Sequence, residues 1–168
     1  MRGPKVALVV VVALTLQLAL VSDLRVAGAS GDLLLLVAVA GGIAGGSQHG
    51  AIIGFAAGLT FDLFLQTPFG LSALAYCLAG YLVGTMQSTV LRAAWWIPVA
   101  SAIGGSVLGV GLFVVVGEVV GQDDLVSSEL PTIVAVVSVL NALLCLPAIR
   151  AVRWALADDS RDRMLVRR

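Results

Sequence analysis

The stretch that decides the fold runs from Gly50 to Gly84 and reads GAIIGFAAGLTFDLFLQTPFGLSALAYCLAGYLVG. Its first half has a glycine or an acid at every fourth position, at Gly50, Gly54, Gly58 and Asp62. Residues four apart share one face of a helix, so this half predicts a helix with a groove of bare backbone and one carboxylate at its end. The break QTPFG follows, and then a second apolar segment. The stretch therefore predicts a helical hairpin.

The composition of the chain is typical of a membrane protein. Of its 168 residues, 60% are hydrophobic and 12% are charged, and the mean hydropathy is +1.06. A soluble domain is about half apolar and about a quarter charged. Six helices of roughly 20 residues each would take up most of the chain. We therefore predict an all-α integral membrane protein in one compact bundle, with no room for a soluble catalytic domain.

Six membrane helices are predicted in a bundle that covers residues 1–156, followed by a basic cytoplasmic tail at 157–168. The predicted helices are 6–22, 33–46, 50–65, 71–86, 95–120 and 132–149. The first follows a basic start, as a signal peptide does, but Asp23 and Arg25 separate it from the small residues of a cleavage site, so we expect it to stay uncleaved. The second and third are short, and two interpretations stay open: short helices buried against their neighbours, or a re-entrant pair.

The positions of the basic residues predict the orientation. Six crossings put both termini on one side, together with the N-terminal basic residues, Arg92 and the six arginines from Arg150 to the end of the chain. Arg25 alone falls on the other side. Because positively charged loops stay in the cytoplasm, we expect both termini there and the protein in the inner membrane. The basic tail either only fixes this orientation or also binds anionic lipid or a partner.

Residue types that carry catalysis or bind metals are sparse. His49 is the only histidine and lies in a predicted loop, and we expect Cys77 and Cys145 to pack inside apolar helices. An intramembrane aspartyl protease needs two carboxylates that meet, whereas only Asp62 lies well inside a predicted helix. The sequence has no motif for a phosphate-binding loop, a metal cluster or a nucleic-acid surface. We therefore predict no enzymatic activity, no catalytic residue, no metal and no cofactor.

Asp62 is the strongest functional candidate, because an acid inside an apolar segment is costly. It lies four residues before the predicted turn, and the short turn makes the two helices antiparallel neighbours. The carboxylate then comes within reach of N–H groups that the next helix leaves free, at Gly70, Leu71 and Ser72. We favour a structural role in which Asp62 locks the hairpin. Partner binding and contact with a ligand or proton are the alternatives.

Small residues in the apolar segments allow helices to approach closely. Gly54 and Gly58 either pack inside this bundle or contact another protein, and the same spacing at Gly80 and Gly84 favours internal packing. Asn141, in the last predicted helix, is expected to donate a hydrogen bond to another helix.

The hairpin resembles the signature of the bacterial rod shape-determining protein MreD family. The matching residues are Gly54-Phe55, Gly58-Leu59, Asp62-Leu63, Pro68-Phe69-Gly70-Leu71, Ala73-Leu74 and Tyr81. The resemblance implies a non-enzymatic membrane protein, similar in fold to the substrate-binding subunits of energy-coupling-factor vitamin transporters. It also implies binding to the bitopic protein MreC and action with MreB, the RodA glycosyltransferase and a penicillin-binding transpeptidase in cell-wall elongation.

Under this resemblance, the structural or partner-binding candidates are Gly54, Gly58, Asp62, Pro68, Gly70 and Tyr81. The fold similarity also gives a rival function, a small-molecule-binding subunit of an energy-coupling-factor type transporter. Such a subunit should bring several polar groups together in an outward pocket, and a channel or proton pathway needs a chain of intramembrane polar groups. The polar groups of this chain are few and scattered, so a scaffold of rod shape and peptidoglycan synthesis is the function we predict.

Overall fold

The computed structural model describes residues 3–21, 31–65, 68–90, 97–121 and 130–157. Within these residues the chain forms six α-helices and no strand. The helices are α1 (Gly3–Leu16), α2 (Leu33–Gly45), α3 (Ser47–Asp62), α4 (Leu71–Val90), α5 (Ile97–Val119) and α6 (Leu130–Leu156), and a π-helical segment, Gln17–Val21, continues α1. The all-α class predicted from the composition is confirmed for this part of the chain.

Helix α2 forms the centre of the bundle. Every residue from Leu34 to Ile43 is buried, and the helix packs against α1, α3, α4, α5 and α6. Its sequence is apolar all round, as expected for a helix with protein on every side. The 13 residues of α2 rise about 20 Å at 1.5 Å per residue, less than the hydrocarbon core of about 30 Å. Helix α2 is thus a short helix buried against its neighbours, and a crossing or re-entrant path for α2 and α3 stays a prediction.

One residue, Gly46, joins α2 to α3. Its φ of +82° lies in the left-handed region, which glycine adopts without steric cost. Its N–H donates to the Gly42 carbonyl at 2.9 Å and so ends α2. The sequence predicted that the third helix begins at residue 50. Helix α3 begins at Ser47 instead, because a single glycine is enough to reverse the chain.

Helix α6 is longer than predicted. The sequence predicted an end at residue 149, shortly after Pro147, since a proline inside a helix lacks a backbone donor and clashes with the preceding turn. The helix instead passes through Pro147 and ends at Leu156. The residues beyond the proline continue its apolar face, and Ile149, Val152 and Ala155 are all buried. This burial explains why the helix continues past a residue that disfavours it.

The start of α1 and the end of α6 lie at the same end of the bundle, which we call the Lys5 end. There the Lys5 ammonium lies 5.1 Å from the centroid of the Trp154 ring. At the opposite end, the Asp32 end, the Gln17 amide donates to the Gly31 carbonyl and accepts from the Leu33 N–H, both at 2.8 Å. These two bonds tie the end of α1 to the start of α2.

Two helices are long and apolar enough to cross a membrane, Pro98–Val119 and Leu130–Leu156, and three shorter apolar helices accompany them. Large apolar side chains cover the outside of the bundle, as Leu143 illustrates with 72% of its surface exposed. An apolar surface of this extent suits contact with lipid or protein better than contact with water. Three features of the predicted orientation lie outside the described residues: Arg25, Arg92 and the tail beyond residue 157.

Candidate functional site

Asp62 ends α3 and faces the start of α4. Its side chain is 3% exposed, and its carboxylate accepts three backbone N–H groups. Oδ2 accepts from Gly70 at 2.8 Å and Ala73 at 3.2 Å, and Oδ1 accepts from Ser72 at 3.1 Å. A helix leaves the donors of its first turn without internal partners, and its positive dipole end stabilises an anion. The predicted contact between Asp62 and the start of the next helix is confirmed. We call this arrangement the Asp62 lock.

One of the three predicted donors was wrong. The Leu71 N–H donates to the Pro68 carbonyl at 3.2 Å, and Ala73 replaces Leu71 as a partner of Asp62. The turn explains the difference, since Gly70 has a φ of +99° and the turn uses the Leu71 N–H for itself. Pro68 and Gly70, two residues of the signature, thus shape the turn that presents the donors to Asp62.

The glycines of α3 are packed against α4. A Cβ atom on Gly54 would overlap the carbonyl of Tyr76, and one on Gly58 would overlap the carbonyl of Ser72 and lie 2.5 Å from the Cα of Ala73. Both glycines are buried. Small residues allow this close approach of helices in membranes. The contacts support the internal one of the two predicted roles, and they leave neither glycine at the surface for a partner.

Close backbone packing extends to a third helix. Gly42 of α2, Gly50 of α3 and Gly80 of α4 meet so closely that an added Cβ on any of them would overlap backbone atoms of a neighbour. Helices α2, α3 and α4 therefore form a tightly packed unit. The Asp62 lock joins α3 to α4 at the Asp32 end of this unit.

Tyr81, the remaining signature candidate, lies on the outer surface. Its side chain is 47% exposed, in contrast to buried Asp62, and the signature residues Phe55 and Leu74 are also exposed. The signature thus contains residues of two kinds, those that build the hairpin and those that remain at the surface. Only the surface residues are available to a partner.

A second carboxylate, Asp32, was missed among the sequence candidates. Its Oδ1 caps α2 by accepting the Leu35 N–H at 2.9 Å, and its Oδ2 accepts the hydroxyl of Tyr76. The Tyr76 ring also stacks on Phe61 of α3, with the ring centroids 6.4 Å apart. Asp32 and Tyr76 therefore join the start of α2 to α4. An aspartate directly before an apolar helix is an N-cap pattern, and this signal was present in the sequence.

A cavity of about 220 Å³ opens beside these groups, and we call it the outer cavity. Gln17, Asp32 and Tyr76 are the polar side chains in its otherwise apolar wall. All three are hydrogen-bonded to protein, which indicates that they hold helices together. Asp62 does not line this cavity, so the lock is separate from it.

Asn141 joins α6 to α5. Its Nδ2 donates to the Ser106 hydroxyl at 2.9 Å, and that hydroxyl donates to the Ala102 carbonyl at 2.8 Å. The predicted interhelical hydrogen bond of Asn141 is confirmed. One turn away on α6, the buried hydroxyl of Ser138 has no hydrogen-bond partner.

Beside Ser138 lies a groove of about 530 Å³, which we call the α5–α6 groove. Its walls are formed by Val99, Ile103 and Val107 of α5 and by Ala135, Ser138 and Ala142 of α6, among others. The three small side chains of the α6 wall are three and four residues apart, so they lie on one helix face, and larger side chains such as Val139 and Leu143 flank them. The α5 wall is β-branched and largely apolar.

His49 and Cys145, whose residue types often act in catalysis or bind metals, contact backbone carbonyl groups in this structure. The His49 Nδ1 lies 2.9 Å from the Gly45 carbonyl oxygen, and the buried Cys145 thiol donates to the Pro98 carbonyl at 3.3 Å. Cys77 is a second free cysteine. Within the described residues, no three His, Cys, Asp or Glu side chains come together as a metal site would require.

A comparison with protein families matches residues 4–150 to the rod shape-determining protein MreD. The chain belongs to the MreD family. MreD-family proteins are structural membrane proteins of rod shape determination and are not known as enzymes, which agrees with the apolar helices of this chain. The matched range includes the whole hairpin and the Asp62 lock. A comparison with curated proteins gives no match, and neither does one with solved structures.

Proposed function

We propose that this MreD-family chain is a non-enzymatic scaffold of the bacterial cell-wall elongation machinery. In this proposal it binds MreC in the inner membrane and helps to maintain rod shape and peptidoglycan synthesis, together with MreB, RodA and a penicillin-binding transpeptidase. Six helices cross the membrane, both termini are cytoplasmic, and the fold is similar to that of energy-coupling-factor substrate-binding subunits. Membership of the MreD family supports the role in rod shape.

The charges of the described residues support the proposed orientation. Lys5 and Arg153 lie at the Lys5 end. Asp32, Asp62 and Glu118, the acidic residues within the described ranges, lie toward the opposite end. Because basic residues stay on the cytoplasmic side of a membrane, this distribution favours a cytoplasmic Lys5 end.

The α5–α6 groove is the observation that carries the proposed binding of a membrane helix. Ile103 and Val107 on one wall are exposed, so the groove is open at the side of the bundle. Its other wall includes the small residues Ala135, Ser138 and Ala142, which allow the backbone of a second helix to come close at these positions. The groove is thus shaped for an apolar helix that has small residues of its own.

The hydroxyl of Ser138 favours a helix over lipid as the occupant. Ser138 is 6% exposed, and its hydroxyl has no hydrogen-bond partner. An acyl chain offers no hydrogen-bonding group, whereas a helix offers carbonyl oxygens and polar side chains. Hydrogen bonds between membrane helices contribute about 0.6 to 2 kcal/mol. A bitopic protein such as MreC supplies one helix of this kind.

Co-purification of MreC with the tagged chain from membranes that contain both proteins tests the proposal. Ala135→Phe fills the groove from an exposed position and should lower the recovered MreC by about tenfold, equivalent to about 1.4 kcal/mol. Ser138→Ala should lower it by about threefold, as expected for one lost interhelical hydrogen bond. Ala151→Phe, at another exposed alanine of α6 outside the groove, is the matched control.

The outcomes distinguish an error in the proposed binding site from an error in the proposed scaffold function. Full recovery of MreC with Ala135→Phe would show that MreC binds elsewhere on the chain. Failure to recover MreC with the unaltered chain would contradict the scaffold function itself. Each variant is first compared with the unaltered chain by gel filtration, so that loss of fold is not counted as loss of binding.

The outer cavity is the feature that the alternative function, a small-molecule-binding subunit of an energy-coupling-factor type transporter, would use as its binding site. Its volume of about 220 Å³ is below the range of about 300 to 1,000 Å³ typical of small-molecule pockets, and its polar groups are bonded to one another or to backbone. The scaffold is therefore the better-supported function. Recovery of an ATPase module with a bound vitamin in the same purification would favour the alternative.

A further inference from the structure

A second groove runs between α1 and α6, with α2 as its floor. Its lining includes Val12 and Leu16 of α1, Leu36 of α2, and Ala148 and Ala151 of α6, and its volume is about 370 Å³. We call it the α1–α6 groove. Apart from the indole of Trp154, no polar side chain lines it. Val12 and Leu16 are exposed, so the groove opens at the side of the bundle.

The dimensions of the groove fit a thin chain. On α6 its lining runs from Leu144 to Trp154, a rise of about 15 Å at 1.5 Å per residue. This length is half of the hydrocarbon core of about 30 Å, that is, one leaflet. An apolar lining of this length fits a single acyl chain of that leaflet.

One end of the groove is positively charged. Trp154 closes this end, and the Lys5 ammonium lies 5.1 Å from the centre of its ring. Arg150 is one turn before Trp154 on α6, and Arg153 adjoins it; both arginines are exposed. Lys5, Arg150 and Arg153 are the described basic residues at this end. Tryptophan beside basic residues is typical of the level of lipid headgroups.

We propose that the α1–α6 groove binds one anionic phospholipid of the leaflet at the Lys5 end. One acyl chain lies along α2 between α1 and α6, and the headgroup phosphate lies at Lys5. The lipid thereby fills the gap between two helices and joins the start of the chain to the end of α6. The α5–α6 groove differs because its lining contains the unpaired hydroxyl of Ser138. The lipid site is independent of the binding of MreC.

Fluorescence of Trp154 can report occupancy of the groove directly. The full chain with Trp95→Phe and Trp96→Phe keeps Trp154 as its only tryptophan. It is reconstituted in phosphatidylcholine vesicles to which one brominated lipid is added, either brominated phosphatidylglycerol or brominated phosphatidylcholine. The brominated acyl chains quench the indole on contact. Half-maximal quenching should need about fivefold less brominated phosphatidylglycerol, the factor expected for one basic residue near an anionic headgroup.

Two substitutions and one control test the site in the same vesicles. Lys5→Gln should remove most of the preference for phosphatidylglycerol, and Ala151→Phe, which fills the groove, should abolish it. Ala135→Phe, in the other groove, should leave it unchanged. Native mass spectrometry of the detergent-purified chain gives a second measurement, in which one phosphatidylglycerol should be retained by the unaltered chain and lost from Lys5→Gln.

Equal quenching by the two brominated lipids would overturn the proposal, because it would mean that only bulk lipid surrounds Trp154. A preference that survives Ala151→Phe would overturn it as well. Co-reconstituted MreC that abolishes the quenching would assign the groove to a protein helix instead. Since the assay uses the chain alone, its failure leaves the recovery of MreC, and with it the scaffold function, unaffected.

Discussion

Replacing Asp62 by asparagine keeps the shape of the side chain but removes part of the Asp62 lock. The carboxylate offers two acceptor oxygens to three N–H groups, with Oδ1 on Ser72 and Oδ2 on Gly70 and Ala73. An asparagine has one acceptor oxygen, and in either orientation its NH2 group faces at least one of these donors. At least one buried N–H group therefore loses its acceptor.

The expected loss of stability follows from these contacts. A hydrogen bond to a charged group contributes about 1.5 to 3 kcal/mol, and an anion at a helix N-terminus contributes about 0.3 to 1 kcal/mol. Asp62→Asn should thus lower the free energy of unfolding by about 2 to 4 kcal/mol. This is a large part of the stability of about 5 to 15 kcal/mol that is typical of folded proteins.

Unfolding of the purified chain in mixed micelles, with rising dodecyl sulfate and helix content as the signal, measures this loss. Glu118→Gln, at the exposed acid of α5, is the control and should change the free energy of unfolding by less than about 0.5 kcal/mol. A value this small for Asp62→Asn would refute the structural role. If such a variant also failed to support rod shape in cells, contact with a proton or ligand would replace the lock as the role of Asp62.

Two further substitutions test the packing around the lock in the same unfolding assay. Gly54→Leu should prevent assembly of the hairpin, because even its Cβ would overlap the carbonyl of Tyr76 and overpacking a tight interface costs about 1 to 3 kcal/mol or more. Phe55→Leu, at the adjacent exposed position, is the control and should be tolerated. A folded Gly54→Leu variant would contradict the close approach of α3 and α4. Tyr76→Phe removes the hydroxyl bonded to Asp32 and should lower the free energy of unfolding by about 1.5 to 3 kcal/mol, so an unchanged value would show that this hydrogen bond does not stabilise the fold.

The hairpin was predictable because its constraints are local. A four-residue repeat fixes the helix face on which Gly54, Gly58 and Asp62 lie. The short turn that follows makes the next helix an antiparallel neighbour of this one. The contact between Asp62 and the start of α4 followed from these two facts. The choice of donors did not follow, since it depends on the positive φ of Gly70 and the turn that consumes the N–H of Leu71.

Contacts between distant parts of the chain were not predictable in the same way. The N-cap pattern at Asp32 was visible in the sequence, but its partner Tyr76 is 44 residues away, and no local spacing pairs the two. The continuation of α6 beyond Pro147 likewise depends on the burial of Ile149 and Val152. Periodicity also does not distinguish a face covered by protein from one in contact with lipid, so the outward position of Tyr81 had no sequence signal.

Helix α6 is where the two proposed binding sites can be told apart. Ala135 and Ala151 are both exposed alanines of this helix, but each lines a different groove. They lie 16 residues, or about 24 Å, apart along the axis, and substitutions that far apart are normally independent. The paired phenylalanine variants therefore serve as controls for each other. We expect Ala135→Phe to lose MreC and Ala151→Phe to lose the lipid preference. General damage to α6 would impair both measurements in each variant, so it would not give this result.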